Sequence, residues 1–260
     1  MTSSLVTIEL RDSVAIVRLN RPDKLNALSG EMLDDLSQAF SMIENNPSAR
    51  AVILTGVREG AFSAGTDIAE LAAIDQSAAS DVSQRGQSLC DQIAKCVVPV
   101  IAAVSGVAAG GGCELALACH MRVASTNAEF SLPETKLGMI PAYGGTQRLS
   151  RIIGSGRALD MVLSGRTISA EEAFRIGLVN RLADPDSLLS EAEGLANDIS
   201  RLAPLAIRAC LEAVTKGLEL PLDEGLAIEA ELFSRLFATD DVREGTRAFL
   251  EKRAPVFNGR

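Results

Sequence analysis

Three times along the chain a strand-like run is followed by a loop rich in small residues and then by a helix-like run, and this recurrence constrains the fold more than composition does. AVILTG (51–56) leads through REGAFSAGTD to the helical IAELAAI. VPVIAAVSG (98–106) leads through VAAGGG to CELALAC, and RVAS (122–125) leads through AEFSLPETKLGMIPAYGG to TQRLSRIIG. The first two occurrences start about 45 residues apart, a period typical of stacked units that share one core. The expectation is an α/β chain built from repeated strand, loop and helix units.

The flanking segments read differently. VTIEL and VAIVRLN are two short strands joined by RDS, and RPDKLNALS is a loop whose last residue, Ser29, precedes the helix EMLDDLSQAFSMIEN. From residue 169 onward the pattern is helical. Ser169 and Glu172 form a capping box for a helix ended by Gly177, DSLLSEAEGLANDISRLA is a longer helix, and Pro204 and Pro221 start two more. Asp241 and Glu244 are read as caps of the last helix. This divides the chain into a core over 1–198 and a C-terminal helical region over 199–260. Leu222, Leu226, Phe233, Leu236 and Phe237 share one helical face, which must cover either its own core or a second subunit.

Composition removes several classes of function. With 25 basic and 34 acidic residues the net charge is −9, and no basic block stands out, so nucleic acid is not an expected partner. No uncharged apolar run reaches membrane-spanning length, and Glu9 and Arg11 sit where a secretory leader would be apolar, so a membrane is not expected either and the expected location is cytoplasmic. The five cysteines show no CxxC pair and are read as buried free thiols of a reducing compartment. The single histidine, His120, rules out a polyhistidine zinc site and is read as a capping or surface residue. If the chain is an enzyme, carboxylates and backbone amides must carry its chemistry, and no metal is expected.

Two features supply such groups. SAG (63–65) and GGG (110–112) each precede a helix, where free N–H groups point outward with the helix dipole behind them. Two such loops side by side make an oxyanion hole without a polar side chain. GGG is followed by neither the GK of a phosphate-binding loop nor the third glycine of a dinucleotide fingerprint. Glu114 then opens the apolar run ELALAC, with no cation or donor side chain three or four positions away. Burial there raises the pKa of a carboxylate, which is what general acid-base catalysis near neutral pH needs. Glu134, between Leu132, Pro133 and an apolar loop, is a second candidate. Its plainer reading is a solvated acid paired with Lys136.

The segments LNALS, AFSAGTDI, PVIAAVSGVAAGGGCELALACHMRVAS, FSLPETKLGMIPAYGGTQRL, LSGRTISAEEAFRIGLVN and FATDDVREGTRAFLEKR resemble the crotonase superfamily, and within it the enoyl-CoA hydratases. The resemblance covers nearly the whole chain in order. It implies a crotonase-like spiral of repeated β-β-α units with a C-terminal α-helical region, assembled as a homo-oligomer, either a trimer or a dimer of trimers. It also implies Glu114 and Glu134 as the two catalytic acids and the N–H groups of Ala64 and Gly111 as the oxyanion hole. Leu25, Ala27, Ala64, Gly65, Thr66, Asp67, Ile68 and Gly111 would line the path of coenzyme A and substrate. Phe249 and Lys252 match positions that approach coenzyme A in relatives, sometimes from a neighbouring subunit.

The implied reaction is reversible hydration of a 2-trans-enoyl-CoA to a 3-hydroxyacyl-CoA, with coenzyme A entering as part of the substrate and no separate cofactor. Glu114 would deprotonate the water and Glu134 would protonate C2. The superfamily also contains double-bond isomerases, other acyl-CoA lyases and non-catalytic or RNA-binding members, and the presence of both acids favours the hydratase. Two positions depart from the usual pattern. Thr66 stands where Ala or Gly is common, which bears on acyl or pantetheine fit, and His120 replaces a common Asp.

Overall fold

In the computed structural model, which describes residues 4–57 and 60–260, each recurring unit contributes one strand to each of two sheets. The larger sheet takes β1 (Val6–Arg11), β2 (Val14–Leu19), β3 (Ala51–Gly56), β5 (Val100–Val104), β7 (Met121–Ser125) and β10 (Arg181–Ala183) in the order β1-β2-β3-β5-β7-β10. All pairs in it are parallel except the β1–β2 hairpin. The smaller sheet, β4-β6-β8-β9, is made of three-residue strands: β4 (Ala61–Ser63), β6 (Val107–Ala109), β8 (Glu129–Ser131) and β9 (Thr167–Ser169).

The short strands lie inside the segments that read as loops. Three residues carry no alternation to detect, and pairing with the equivalent segment of the next unit is what makes them strands. Of the loop read over REGAFSAGTD, Arg58 and Glu59 lie outside the described residues. The units are unevenly spaced because α2 (Ile68–Leu71) and the long α3 (Gln76–Ala94) separate β4 from β5, whereas only α4 (Gly111–Ala118) separates β6 from β7. The sequence reading assigned no element to α3, which is largely polar and buries only Gly86, Leu89, Cys90 and Ile93.

The larger sheet is covered on both faces, which explains why its inner strands read as continuous apolar runs. One face packs with α1 (Gly30–Glu44), α3 and α4 in the main core, through residues such as Val17, Leu54, Phe40, Ile93 and Leu115. The other face, with Ile16, Ile53, Ile101 and Val123, is covered by Leu188, Ala192, Leu195 and Ala196 of α8 (Leu188–Ser200). α8 therefore belongs with the core. Ser29 caps α1 by accepting the Met32 N–H, as its position predicts.

α5 (Gly145–Ile153), α6 (Ser155–Ser164) and α7 (Ala170–Arg175) follow the third unit. Ser169 caps α7, but the box is not reciprocal: the Glu172 carboxylate accepts from the Arg166 guanidinium at 2.8 and 3.0 Å instead of turning back. His120 is neither a cap of α4 nor a surface group. It is half-buried, its Nδ1 accepts the Val100 N–H and its Nε2 meets the Ala94 carbonyl, so it joins the end of α3 to the start of β5. The C-terminus of α4 is held by buried Arg122, which donates to the carbonyls of Ala116, Cys119 and Leu178.

The chain ends in α9 (Pro204–Gly217), α10 (Leu222–Leu236) and α11 (Asp240–Glu251). Thr239, not Asp241 or Glu244, caps α11. Buried Asp241 accepts the N–H groups of Asn258 and Gly259, and Glu244 accepts from Arg253, Arg247 and the Val256 N–H, so both acids tie down the chain that follows the helix. Four cysteines are buried and Cys210 is exposed, and all five are free. No helix among the described residues is long and apolar enough to cross a membrane.

Candidate active site

Gly110 turns the chain from β6 into α4 with a φ of +49°, a region open to glycine and costly for side chains. Every residue of α4 is buried, and Glu114 in its first turn is 2% exposed. Its helical neighbours offer it nothing, as the sequence indicated. The donors come instead from the start of α5: Glu114 Oε1 accepts the N–H of Tyr143 at 2.8 Å and of Gly145 at 2.6 Å. A Cβ on Gly145 would stand 2.9 Å from that oxygen, so the close approach depends on glycine. Burial pushes the Glu114 carboxyl up to about 7, and the charge of Glu134 adds to the rise, while the two N–H bonds and Arg148 oppose it.

Glu134 follows Pro133 in a short 3-10 turn, Glu134–Leu137, and lies across from the Gly110 turn, where a Cβ would stand 3.0 Å from its Oε1. Its Oε2 is buried without a hydrogen-bond partner among the described residues. The pairing with Lys136 does not form; that side chain packs against Gly165. Burial raises the Glu134 carboxyl above the usual range. Two acids from different units thus face one region, both shifted toward the proton-exchange range of neutral pH.

Of the two amides read from sequence as oxyanion donors, only one is free of a hydrogen bond among the described residues. Gly111 N–H carries no hydrogen bond among the described residues, as expected. The Ala64 N–H, however, donates to the Leu25 carbonyl at 2.9 Å, and the Gly65 N–H to Ser63 Oγ at 3.2 Å. The next amide, that of Thr66, has no partner among the described residues. Thr66 is beside Gly111, whose Cβ position would lie 3.0 Å from Thr66 Oγ1. Gly65 has a φ of +96°, and the free amide of this loop is that of Thr66, two residues past Ala64.

Residues outside the sequence reading hold this loop. Asn26, buried and at a φ of +54°, donates from Nδ2 to the Ala61 and Phe62 carbonyls and accepts the Arg21 N–H, while Ser63 Oγ donates to the Asn26 carbonyl. Asn tolerates the left-handed region, and this was its only signal in the sequence. Leu28 and Thr66 form a bridge that brings 25–28 against 64–68. Arg21 reaches across both, donating to the Ala27 carbonyl and to Asp67, which also caps α2. Asp67 is thereby committed to the scaffold, and Leu25 and Ile68 are left exposed beside the site. Phe249, 83% exposed, and Lys252 lie at the end of α11, and no hydrogen bond among the described residues links them to these loops.

The sequence profile of the enoyl-CoA hydratase/isomerase family matches residues 9–260. The chain belongs to the enoyl-CoA hydratase/isomerase family. It is 41% identical to the short-chain-enoyl-CoA hydratase of Clostridium acetobutylicum over 248 residues, 95% of each chain. It is 40% identical to the (E)-benzylidenesuccinyl-CoA hydratase of Thauera aromatica, over 98% of this chain and 99% of that one. Among solved structures, the enoyl-CoA hydratase of Bacillus anthracis superposes with a TM-score of 0.96 at 37% identity, covering 98% of this chain and 100% of that one.

Proposed function

We propose that the chain catalyses the reversible hydration of a 2-trans-enoyl-CoA to a 3-hydroxyacyl-CoA. The observation that carries this reading is the meeting of buried Glu114 and half-buried Glu134, whose Oε2 is itself enclosed, beside the unpaired N–H groups of Gly111 and Thr66. The thioester oxygen would accept both N–H groups, which stabilise the negative charge that develops on it as water adds. Glu114 takes a proton from the water as its oxygen bonds to C3, and Glu134 delivers its proton to C2 as the enolate collapses. The reverse steps eliminate water. The scheme draws on no metal or redox cofactor, and coenzyme A enters only as part of the substrate.

The names and near-complete coverage of the relatives support hydration as the reaction, and homology supports an acyl-CoA as the substrate. The exposed apolar residues of α9–α11 support assembly with further copies of the chain, in a trimer or a dimer of trimers, with Phe249 and Lys252 offered to a neighbour's coenzyme A. Free buried thiols fit a cytoplasmic setting. The deciding experiment is a steady-state series with 2-enoyl-CoA thioesters of increasing chain length, run beside a 3-enoyl-CoA. Hydration of the first group supports the proposal; turnover of the 3-enoyl thioester alone would make the chain an isomerase.

A further inference from the structure

A small cavity opens beside Gly111 and Thr66, with a volume of about 80 Å³. Leu28, Leu33, Leu71, Ile74 and Val82 give it an apolar wall, and Thr66, Tyr143, Glu70 and Arg85 complete it. Counted as the space open to the centre of a water-sized sphere, one water needs about 10–15 Å³, so the cavity holds several waters or a short acyl group. Tyr143 is the anomaly in this wall. It is 2% exposed, and its hydroxyl lies beside the Thr66 side chain without making a hydrogen bond of good geometry to any described residue.

The placement of the ring is built into the chain. α3 carries glycine at position 86, where a Cβ would stand 2.0 Å from the Tyr143 ring, and the other ring edge lies 3.0 Å from the Cβ position of Gly111. The Tyr143 N–H is fixed on Glu114. The phenol therefore cannot swing out to water without disturbing both helices. A buried hydroxyl without a partner is destabilising, and a phenylalanine of nearly the same shape would avoid the cost. Small-molecule sites place a few polar groups of this kind in an apolar wall to read a feature of the ligand.

The two charged groups of the wall are otherwise engaged. Glu70 accepts the Gly30 N–H, and Arg85 donates to the Gly30 carbonyl and pairs with Asp34. A carboxylate on the acyl chain would meet Glu70 and find no free cation. Thr66 and Tyr143 hydroxyls each donate and accept, so a neutral oxygen suits them.

We propose, resting on the hydratase reading, that Tyr143 and Thr66 form a polar subsite selecting short enoyl thioesters whose acyl chain bears a hydroxyl or carbonyl oxygen. The test uses matched pairs: 2-butenoyl-CoA against 4-hydroxy-2-butenoyl-CoA, and 2-pentenoyl-CoA against 5-hydroxy-2-pentenoyl-CoA. In at least one pair the unaltered enzyme should favour the oxygenated member by about tenfold or more in kcat/KM, the scale of satisfying one buried hydroxyl. Tyr143→Phe should reduce that ratio toward one, whatever it does to the separate rates, and should melt no lower than the parent. A parent ratio of one or less in both pairs, or a ratio unmoved by Tyr143→Phe, overturns the subsite. A lower melting temperature with an unmoved ratio makes the hydroxyl merely structural. An enzyme that hydrates only the plain members leaves the hydratase reading intact and removes this one, whereas no hydration of any member removes both.

Discussion

The Gly145 N–H meets Glu114 Oε1 at 2.6 Å, joining the first turns of α4 and α5 through an acid that burial pushes up to about 7. The two effects pull in opposite directions. The N–H bond favours the carboxylate, and the apolar helix around it favours the neutral acid, so the balance falls where a base must exchange protons at neutral pH.

The same balance makes Glu114 a cost to the fold at high pH. Its folded-state value lies above the ordinary 4.5, so its contribution to stability is complete below about 4.5 and is lost as pH rises through about 7. At about 1.4 kcal/mol per pH unit, the loss is about 3 kcal/mol. Glu114→Gln keeps the acceptor for Tyr143 and Gly145 but does not titrate. In denaturant melts, the variant should gain on the parent between pH 5 and pH 8, while its turnover falls by about 10² or more. In the parent, kcat/KM should rise with pH as Glu114 loses its proton and fall again as Glu134 loses the proton that it must deliver to C2. A stability difference that stays constant across these pH values would mean that Glu114 is not held near 7.

Glu134→Gln separates the catalytic reading from the plain one. The buried, unpartnered Oε2 has no structural bond to lose, so the variant should fold as well as the parent. Turnover should nevertheless drop by about 10² or more if this group supplies the C2 proton. Binding of an unreactive acyl-CoA thioester, followed by calorimetry, should survive. Hydration at the parental rate would return Glu134 to the status of a loop acid.

Much of this site could be read from the chain, and the parts that could not have a common cause. Glu114 stood out because a carboxylate in ELALAC has no local partner, and Ser29 and Pro204 marked helix starts because capping is a local property. Glu114's real donors, Tyr143 and Gly145, are far away in sequence and contribute only backbone, which every residue carries. The free amide falls on Thr66 and not on Ala64 because the Leu25 carbonyl takes the Ala64 N–H, while the Leu28 bridge uses the Gly65 carbonyl and the Asp67 N–H. Asp241 and Glu244 looked like caps because acids favour first turns; the segment that occupies them comes after the helix and gave no sign of folding back.

Adjacent glycines should respond differently to alanine. Gly110 has a φ of +49° and a ψ of −127°, outside the left-handed helical region, so Gly110→Ala strains the backbone by about 1–3 kcal/mol and crowds Glu134 Oε1, lowering both the melting temperature and kcat. Gly111 is not in the positive-φ region, but its added methyl would meet Thr66 Oγ1 and the Tyr143 ring at 3.0 Å, so these neighbours must give by a few tenths of an ångström and the methyl crowds the thioester beside the N–H. Gly111→Ala should therefore lower the melting temperature less than Gly110→Ala does while losing on the order of 2.7 to 4 kcal/mol of transition-state stabilisation, the scale of one oxyanion donor. An unchanged kcat/KM for Gly111→Ala would remove this N–H from the mechanism.

Assembly is testable on α10, where the face picked out by the sequence points away from the core. Leu232 is the buried position, whereas Leu222, Leu226, Phe233 and Phe237 are exposed, the two phenylalanines lying 5.0 Å apart between ring centroids. Val214 and Leu218 of α9 and Phe249 and Leu250 of α11 add to the apolar surface. A surface of this kind rarely stays open to water in a soluble protein. Light scattering should return a mass that is a multiple of three chains of 27.4 kDa. Phe233→Glu with Phe237→Glu should shift the protein toward smaller species, because burying two carboxylates at an apolar contact costs more than the contact returns. If Phe249 and Lys252 serve a neighbour's coenzyme A, the dissociated protein should also show a raised KM for acyl-CoA at a fixed protein concentration. A parent that runs as a 27.4 kDa monomer at micromolar concentration would leave this face without a second copy and would end the case for a shared site.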